Sequence, residues 1–266
     1  TAASVCGTGG TTMSNWTKEE LMICAAADVI QDHDVALVGI GLPTLAAMVA
    51  KQTNAPNLQM IFESGAIDAV PNDLPQGPGD FPLLRTSVMT TSLFNALGYV
   101  QRGKVDVAFL GAAEIDQYGN LNATVIGDYD RPVCRLPGSG GANDMGSGAG
   151  KIVIISRHLR RKFPARVAYI TTPGFLDGPG ARERCGLRGE GPVRVVTDLG
   201  VFGFDDETKR MKIISIHPGV DKQEIIDNTQ FEILGMNRPI PVTQERSAEI
   251  QQFLRRLDRH HEYIGK

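Results

Sequence analysis

The chain has 266 residues, 42% of them hydrophobic and 21% charged, enough to bury a substantial core without disulfide or metal staples. Its formal net charge of −3 excludes a global basic field of the kind that draws a protein to nucleic acid or anionic lipid. Four widely spaced cysteines (Cys6, Cys24, Cys134 and Cys185) without a C-x-x-C pair point to a reducing, cytoplasmic setting, and the uncharged apolar run over residues 35–50 is shorter than the roughly 20 residues that span a bilayer.

Residues 1–16 are small and polar and are expected to form a loose tail, followed by one domain over residues 17–266. Thr17-Lys-Glu-Glu20 fits the capping-box pattern, so a first helix is expected to start near Lys18. Residues 35–38 read as a strand, Gly39-Ile-Gly-Leu-Pro43 as a turn, and Leu45, Met48 and Val49 as the apolar face of a second helix. Residues 58–62 follow as a second strand, which completes a βαβ unit. This strand ends on Glu63-Ser64-Gly65, and in a parallel sheet the carboxyl ends of the strands border the ligand crevice.

The segment 69–81 carries Pro71, Pro75 and Pro78 and is expected to form a loop, a candidate rim or lid beside Glu63. Residues 91–101 read as a helix, 105–110 as a buried strand, and 111–127 as two short strands about the turn Tyr118-Gly-Asn120. Strands are expected at 151–156, 166–171, 193–197, 201–204 and 211–216, and helices at 221–227 and 244–257. The sum is an α/β fold: an open sheet with βαβ units and antiparallel additions.

Two phosphate-binding readings fail on their details. Val38-Gly-Ile-Gly-Leu-Pro-Thr44 resembles a dinucleotide fingerprint, but Thr44 stands at the third glycine and Pro43 removes an N–H where pyrophosphate would bind. Gly146-Ser-Gly-Ala-Gly-Lys151 suggests a phosphate loop, but Met145 occupies the first glycine position and Ile152 the magnesium-binding Ser/Thr position. The five histidines show no H-x-x-x-H pair, so no metal site is expected. The glycines from Gly138 to Gly141 leave consecutive N–H groups unshielded, an arrangement that suits a developing oxyanion, although a flexible loop has the same composition.

Taken in order, E-S-G at 63–65, G-A-A-E-I-D-Q-Y-G-N-L-N at 111–122, G-D-Y at 127–129, G-S-G-G-A-N at 138–143 and P-G-F-L-D-G-P-G-A-R-E-R at 173–184 resemble the β subunit of glutaconate CoA-transferase, within the class I CoA-transferases. The resemblance implies a NagB/RpiA-like open α/β fold and Glu63 as covalent nucleophile. It places oxyanion donors on Asn122 and on the backbone of Gly140 or Gly141, with Ser64, Gly65, Asn120 and Gly138 in supporting roles. Asp177, Arg182 and Arg184 are expected to order the second long loop or to meet the partner subunit, and Arg85 is a weaker candidate for a distal carboxylate. The resemblance further implies coenzyme A as a substrate, no metal, a small and often dicarboxylic acid, and a homologous α subunit with the active site between the two chains. An acyl-CoA hydrolase or lyase of the same fold, or a non-catalytic ligand-sensing domain, are the alternatives. Related decarboxylases and ring-opening hydrolases replace the glutamate, whereas this chain keeps Glu63.

Overall fold

The structure, a computed structural model, describes residues 15–77 and 79–265. The capping box forms as expected: Thr17 Oγ1 accepts from the Glu20 N–H at 3.1 Å and Glu20 Oε2 accepts from the Thr17 N–H at 2.9 Å, which starts α1 (Lys18–Ala27). Glu20 is fully buried, and its carboxylate also accepts from Arg255 Nε at 2.7 Å and Gln251 Nε2 at 2.9 Å. The βαβ unit follows as β1 (Val35–Val38), α2 (Leu42–Gln52) and β2 (Gln59–Phe62), with β1 and β2 parallel.

The chain continues through β3 (Ala66–Ile67), α3 (Phe81–Thr86), β4 (Met89–Thr90), α4 (Leu93–Gln101) and β5 (Val107–Leu110). Two small hairpins come next: β6 (Glu114–Ile115) with β7 (Leu121–Asn122), and β8 (Val125–Gly127) with β9 (Pro132–Arg135). After α5 (Ala142–Gly148), β10 (Lys151–Ile155) and α6 (Ala181–Arg184) come β11 (Gly191–Val196), β12 (Gly200–Phe204), β13 (Met211–Ile216), α7 (Lys222–Asp227) and α8 (Ala248–Leu257).

Nine strands form one sheet in the order β13-β12-β11-β10-β5-β1-β2-β3-β4. The five central strands from β11 to β2 are parallel, and the pairs at either edge are antiparallel. Both faces are covered, as a parallel sheet requires. Period-2 alternation divides each strand: Ala36 and Val38 of β1 and Met60 and Phe62 of β2 pack in the layer that contains α1, α2 and α8. Leu37 and Ile61 face the other layer, with Ala96 and Val100 of α4. Because β2 lies on one side of β1 and β5 on the other, the strand order reverses at β1, and a crevice opens at the carboxyl ends there. Among the described residues no helix is long and apolar enough to cross a membrane.

Two expectations need correction. Residues 166–171 form no strand: Ala168 N–H donates to Glu114 Oε2, the Tyr169 ring stacks on Tyr129 at 5.5 Å, and the ladder is reduced to a single bridge between Leu121 and Thr172. The glycine-rich stretch after Gly141 is helical as α5, although Gly146 and Gly148 are poor helix formers. Close packing explains both, because a Cβ at Gly146 would lie 2.3 Å from Thr172 Cγ2 and one at Gly148 would lie 3.1 Å from Val100. The loop expected to rim Glu63 turns instead toward the C-terminal helix, where Asp73 pairs with Arg259 at 2.9 Å. Of the expected tail, residues 1–14 lie outside the described residues, and the Asn15 carbonyl is tied to α8 by Gln251 Nε2 and Arg255 Nη2, each at 2.9 Å.

The second long loop is ordered by Arg182, as expected. This residue is 4% exposed, and its guanidinium donates to the carbonyls of Pro173, Gly174, Gly146 and Arg188, which clamps the loop onto α5. Asp177 pairs with Arg166 on the surface, and Arg184 donates to the Pro179 carbonyl.

At the far edge of this layer His158 is buried, stacked on Phe163 at 4.1 Å and bonded to Thr197 Oγ1 and Thr229 Oγ1. Burial pushes its pKa down to about 4, against a smaller upward pull from Asp198. The folded state thus holds His158 neutral, while the unfolded chain takes up a proton near pH 6.5. The stability this contributes is whole above pH 6.5 and is lost as pH falls toward 4, a loss on the order of 3 kcal/mol. His217, also lowered chiefly by burial, adds in the same direction. Denaturant midpoints measured between pH 7 and 4.5 are expected to fall steeply in the wild type and more gently in His158→Gln; equal slopes would refute the assignment.

Candidate active site

Glu63 follows the last residue of β2, half-buried, and lines a cavity of about 430 Å³ that lies at the strand-order reversal. The lining comes from the carboxyl ends of neighbouring strands: Gly39 and Ile40 after β1, Glu63 after β2, Gly111 after β5, and Ile155 of β10. One further side comes from Ser139, Gly140, Gly141 and Met145, where the glycine stretch turns into α5. The walls are mainly apolar, and among the described lining residues only Glu63 and Tyr263 carry ionisable side chains.

The turn that presents Glu63 depends on local backbone chemistry. Gly65 N–H donates to the Phe62 carbonyl at 2.8 Å, Gly65 adopts φ +103°, and a Cβ there would lie 1.9 Å from the Thr91 carbonyl oxygen. Only glycine fits both the left-handed backbone and that contact. Ser64 Oγ is buried and has no hydrogen-bond partner among the described residues. Helix α4 starts directly after Thr91 and Ser92, so the Glu63 turn and the α4 N-terminus are in contact.

Glu63 meets the glycine stretch directly: Gly141 N–H donates to Glu63 Oε1 at 3.1 Å. Gly141 caps α5, and its N–H, which has no acceptor within the helix, is free to make this bond. A Cβ on Gly141 would sit 2.8 Å from Glu63 Oε1 and 2.7 Å from Leu97 Cδ2, so the carboxylate approaches the backbone as closely as it does only because residue 141 is glycine. Gly140 has φ +51° and also lines the cavity. Gly138, at φ +100°, starts the loop with an N–H to the Ala123 carbonyl at 2.7 Å.

Asn122 is placed differently from Gly140 and Gly141. It is fully buried and absent from the cavity lining, and its amide hydrogens go to Glu114 Oε2 and the Val125 carbonyl, each at 2.7 Å. Its Oδ1 accepts from the Thr124 and Val125 N–H groups. Asn122 therefore builds the turn at 122–125, whose Ala123 carbonyl anchors Gly138 and with it the glycine stretch. Asn122→Ala is expected to leave the Val125 carbonyl and part of the Glu114 carboxylate unpaired, costing about 2–4 kcal/mol of stability in denaturant unfolding.

Asn120 acts as a turn residue: Oδ1 accepts from the Gly174 and Leu176 N–H groups, and Nδ2 donates to Asp116, whose carboxyl is held above the usual range by burial. Arg85 is exposed on α3 and does not line the cavity. Among the described residues there is no cluster of three or more His, Cys, Asp or Glu side chains able to hold a metal ion. The residue that sequence reading missed is Tyr263. It lines the cavity from 200 positions further along the chain, and the one local sign of it was Gly41, which sits under its ring.

The chain as a whole has counterparts among known proteins. The family described as Coenzyme A transferase matches residues 20–228. The chain is 41% identical over 224 residues to the B-type subunit of the 3-oxoadipate CoA-transferase of Pseudomonas knackmussii, covering 83% of this chain and 85% of that one. It is 38% identical over 226 residues to the B-type subunit of the glutaconate CoA-transferase of Acidaminococcus fermentans, again covering 83% and 85%. The crystal structure of the latter enzyme superposes with a TM-score of 0.87 over 95% of this chain and 98% of that one, at 34% identity. The decarboxylase AibA/AibB superposes at 0.80 over 95% and 100%, at 26% identity. The chain belongs to the coenzyme A transferase family, as a subunit of the B type.

Proposed function

We propose that this subunit carries the covalent step of CoA transfer and that Glu63 is the nucleophile. Glu63 attacks the thioester carbonyl of an acyl-CoA, and collapse of the tetrahedral adduct breaks the C–S bond to give an acyl-glutamyl anhydride and CoA thiolate. The thiolate attacks the glutamyl carbonyl of the anhydride, which releases the first acid as its carboxylate and leaves a glutamyl-CoA thioester. An incoming carboxylate runs the same two steps in reverse, so the new acyl-CoA departs and Glu63 is regenerated.

The observation that carries this reading is the composition of the cavity: one carboxylate, held by a glycine N–H, among apolar walls. No step in the sequence transfers a proton, because carboxylates and a thiolate exchange places throughout, and a site with no imidazole or ammonium in its lining suits it. Hydrolysis asks for a group that takes a proton from water. The chemistry here fits transfer better. Oxyanion stabilisation is assigned to the backbone of Gly140 and Gly141, with Asn122 acting through the turn that anchors Gly138.

The partner proposed is a homologous α subunit that closes the site. Support comes from large apolar side chains left exposed on and between α3 and α4: Phe81 at 69%, Val88 at 79% and Phe94 at 84%, the last on α4 one turn before Leu97, which lies against Gly141. The acid is proposed to be a small dicarboxylic one, by likeness to transferases named for 3-oxoadipate and glutaconate. No Arg or Lys is among the described lining residues, so a counter-charge for the distal carboxylate is assigned to the partner. Exposed thiols at Cys134 and Cys185 suit a reducing, cytoplasmic setting. The test is chemical capture: the αβ complex treated with acyl-CoA and then borohydride is expected to carry a reduced side chain at Glu63 by peptide mass spectrometry. Modification elsewhere, or none, would overturn the proposal.

A further inference from the structure

Tyr263 enters the Glu63 cavity from the C-terminal end of the chain, beyond the last residue that the family match covers. Its position is built rather than incidental. After α8 the chain wraps around the buried carboxylate of Asp258, which accepts the N–H groups of Glu262, Tyr263 and Ile264, each at 2.9 Å. Ile264 is 1% exposed and inserts into the core, and its carbonyl accepts from Thr17 Oγ1 at 2.8 Å, the same hydroxyl that caps α1. Residues on both sides of Tyr263 are thus fixed, through the backbone, to the body of the sheet.

The ring that this anchor presents lies over the turn after β1. Gly41 has φ +88°, and a Cβ on it would fall 2.7 Å from Tyr263 Cε1. The glycines that imitate a dinucleotide fingerprint therefore have a different use: the second one lets an aromatic ring settle onto the cavity wall. With Ile40, Leu42 and Phe109 nearby in the lining, the ring extends an apolar surface that ends at Glu63.

We infer that Tyr263 is a specificity-determining residue, the fixed wall that limits the length of the acyl chain lying in the Glu63 cavity. This rests on the transferase reading for the identity of the ligand, an aliphatic carboxylic acid or its thioester. It adds what that reading leaves open, the feature of this chain that measures the acid. A wall of this kind acts on ligand size, whereas a residue that merely stabilises the tail lowers activity toward all ligands alike.

The experiment uses the αβ complex and a series of straight-chain dicarboxylic acids from four to seven carbons, with wild type, Tyr263→Phe and Tyr263→Leu. Both variants keep the backbone bonds to Asp258, so the tail is expected to stay folded, as a thermal melt will verify. Leucine opens space for about two methylenes, each worth roughly fourfold in burial. The ratio of kcat/KM for the longest acid over the shortest is expected to rise about 10-fold or more in Tyr263→Leu and to stay within twofold in Tyr263→Phe. Calorimetric Kd values for the same acids are expected to move in the same ratio, and this readout requires no turnover. An unchanged ratio in Tyr263→Leu by both measurements overturns the inference while leaving the role of Glu63 standing. Conversely, a Glu63→Ala complex that still transfers CoA refutes the mechanism, and the Kd ratio then decides the wall on its own.

Discussion

The Glu63→Ala complex is expected to lose at least about 10⁴-fold in kcat for CoA transfer while its melting temperature changes little. The first half follows from covalent catalysis: without the carboxylate there is no anhydride and no glutamyl thioester, and removing a nucleophile that acts as part of a unit has cost other enzymes roughly 10⁴- to 10⁶-fold. The second half follows from the site. Glu63 is half-buried, and among the described residues its side chain accepts one hydrogen bond, from Gly141 N–H, so its removal strands a single backbone donor in the cavity wall. Glu63→Asp is the sharper variant. It keeps the charge but draws the carboxylate back by one methylene, and a displacement of about 1 Å in an aligned reaction costs on the order of 10²-fold. Activity in Glu63→Ala within tenfold of wild type would remove Glu63 from the mechanism.

Gly141→Ala is expected to have the next largest effect, a fall of about 10²- to 10³-fold in kcat with a smaller change in KM. The added Cβ would meet Glu63 Oε1 at 2.8 Å and Leu97 Cδ2 at 2.7 Å. Leu97 belongs to α4 and is packed in the layer below, so the Glu63 side chain, at the open cavity, is the group with room to move. The substitution therefore separates the carboxylate from the N–H that faces it, which combines misplacement of the nucleophile with loss of one oxyanion donor. Gly140→Ala is milder by the same geometry, since its Cβ would lie 3.8 Å from Glu63 Oε1. Steady-state kinetics of the two variants beside Asn122→Ala will sort the donors. If Asn122→Ala, assayed where it is still folded, loses as much kcat as Gly141→Ala, then the amide of Asn122 is itself the donor and the turn it builds is secondary.

Much of this arrangement can be read from residue order. The capping box at Thr17–Glu20, the strands at 35–38 and 211–216 and the position of Glu63 at a strand end all follow from local rules: an N-cap oxygen, a run of β-branched and apolar residues, a charge after that run. The failures are equally physical. Residues 166–171 have strand composition, but the segment instead supplies an N–H to Glu114 and a ring to Tyr129. Residues 142–148 contain two glycines and nonetheless form a helix, because the contacts with Val100 and Thr172 outweigh weak propensity. Asn122 carried the right motif, yet its hydrogen-bond partners, Glu114 and Val125, are set by a hairpin whose pairing no spacing rule defines.

What the sequence by itself determined is the chemistry available: a carboxylate ending a buried strand, a glycine stretch with bare N–H groups, and motifs in an order shared with CoA-transferases. These are properties of short segments, set by backbone preference and side-chain type within a few residues. Only the tertiary structure decided which of them meet. Crossing from β2 to the α5 cap brings Gly141 to Glu63 across 78 positions, and the wrap around Asp258 brings Tyr263 onto Gly41. Such contacts depend on strand order and close packing, which are sums over the whole chain, and for that reason the wall of the cavity left no trace in the sequence beyond a glycine that resembled something else.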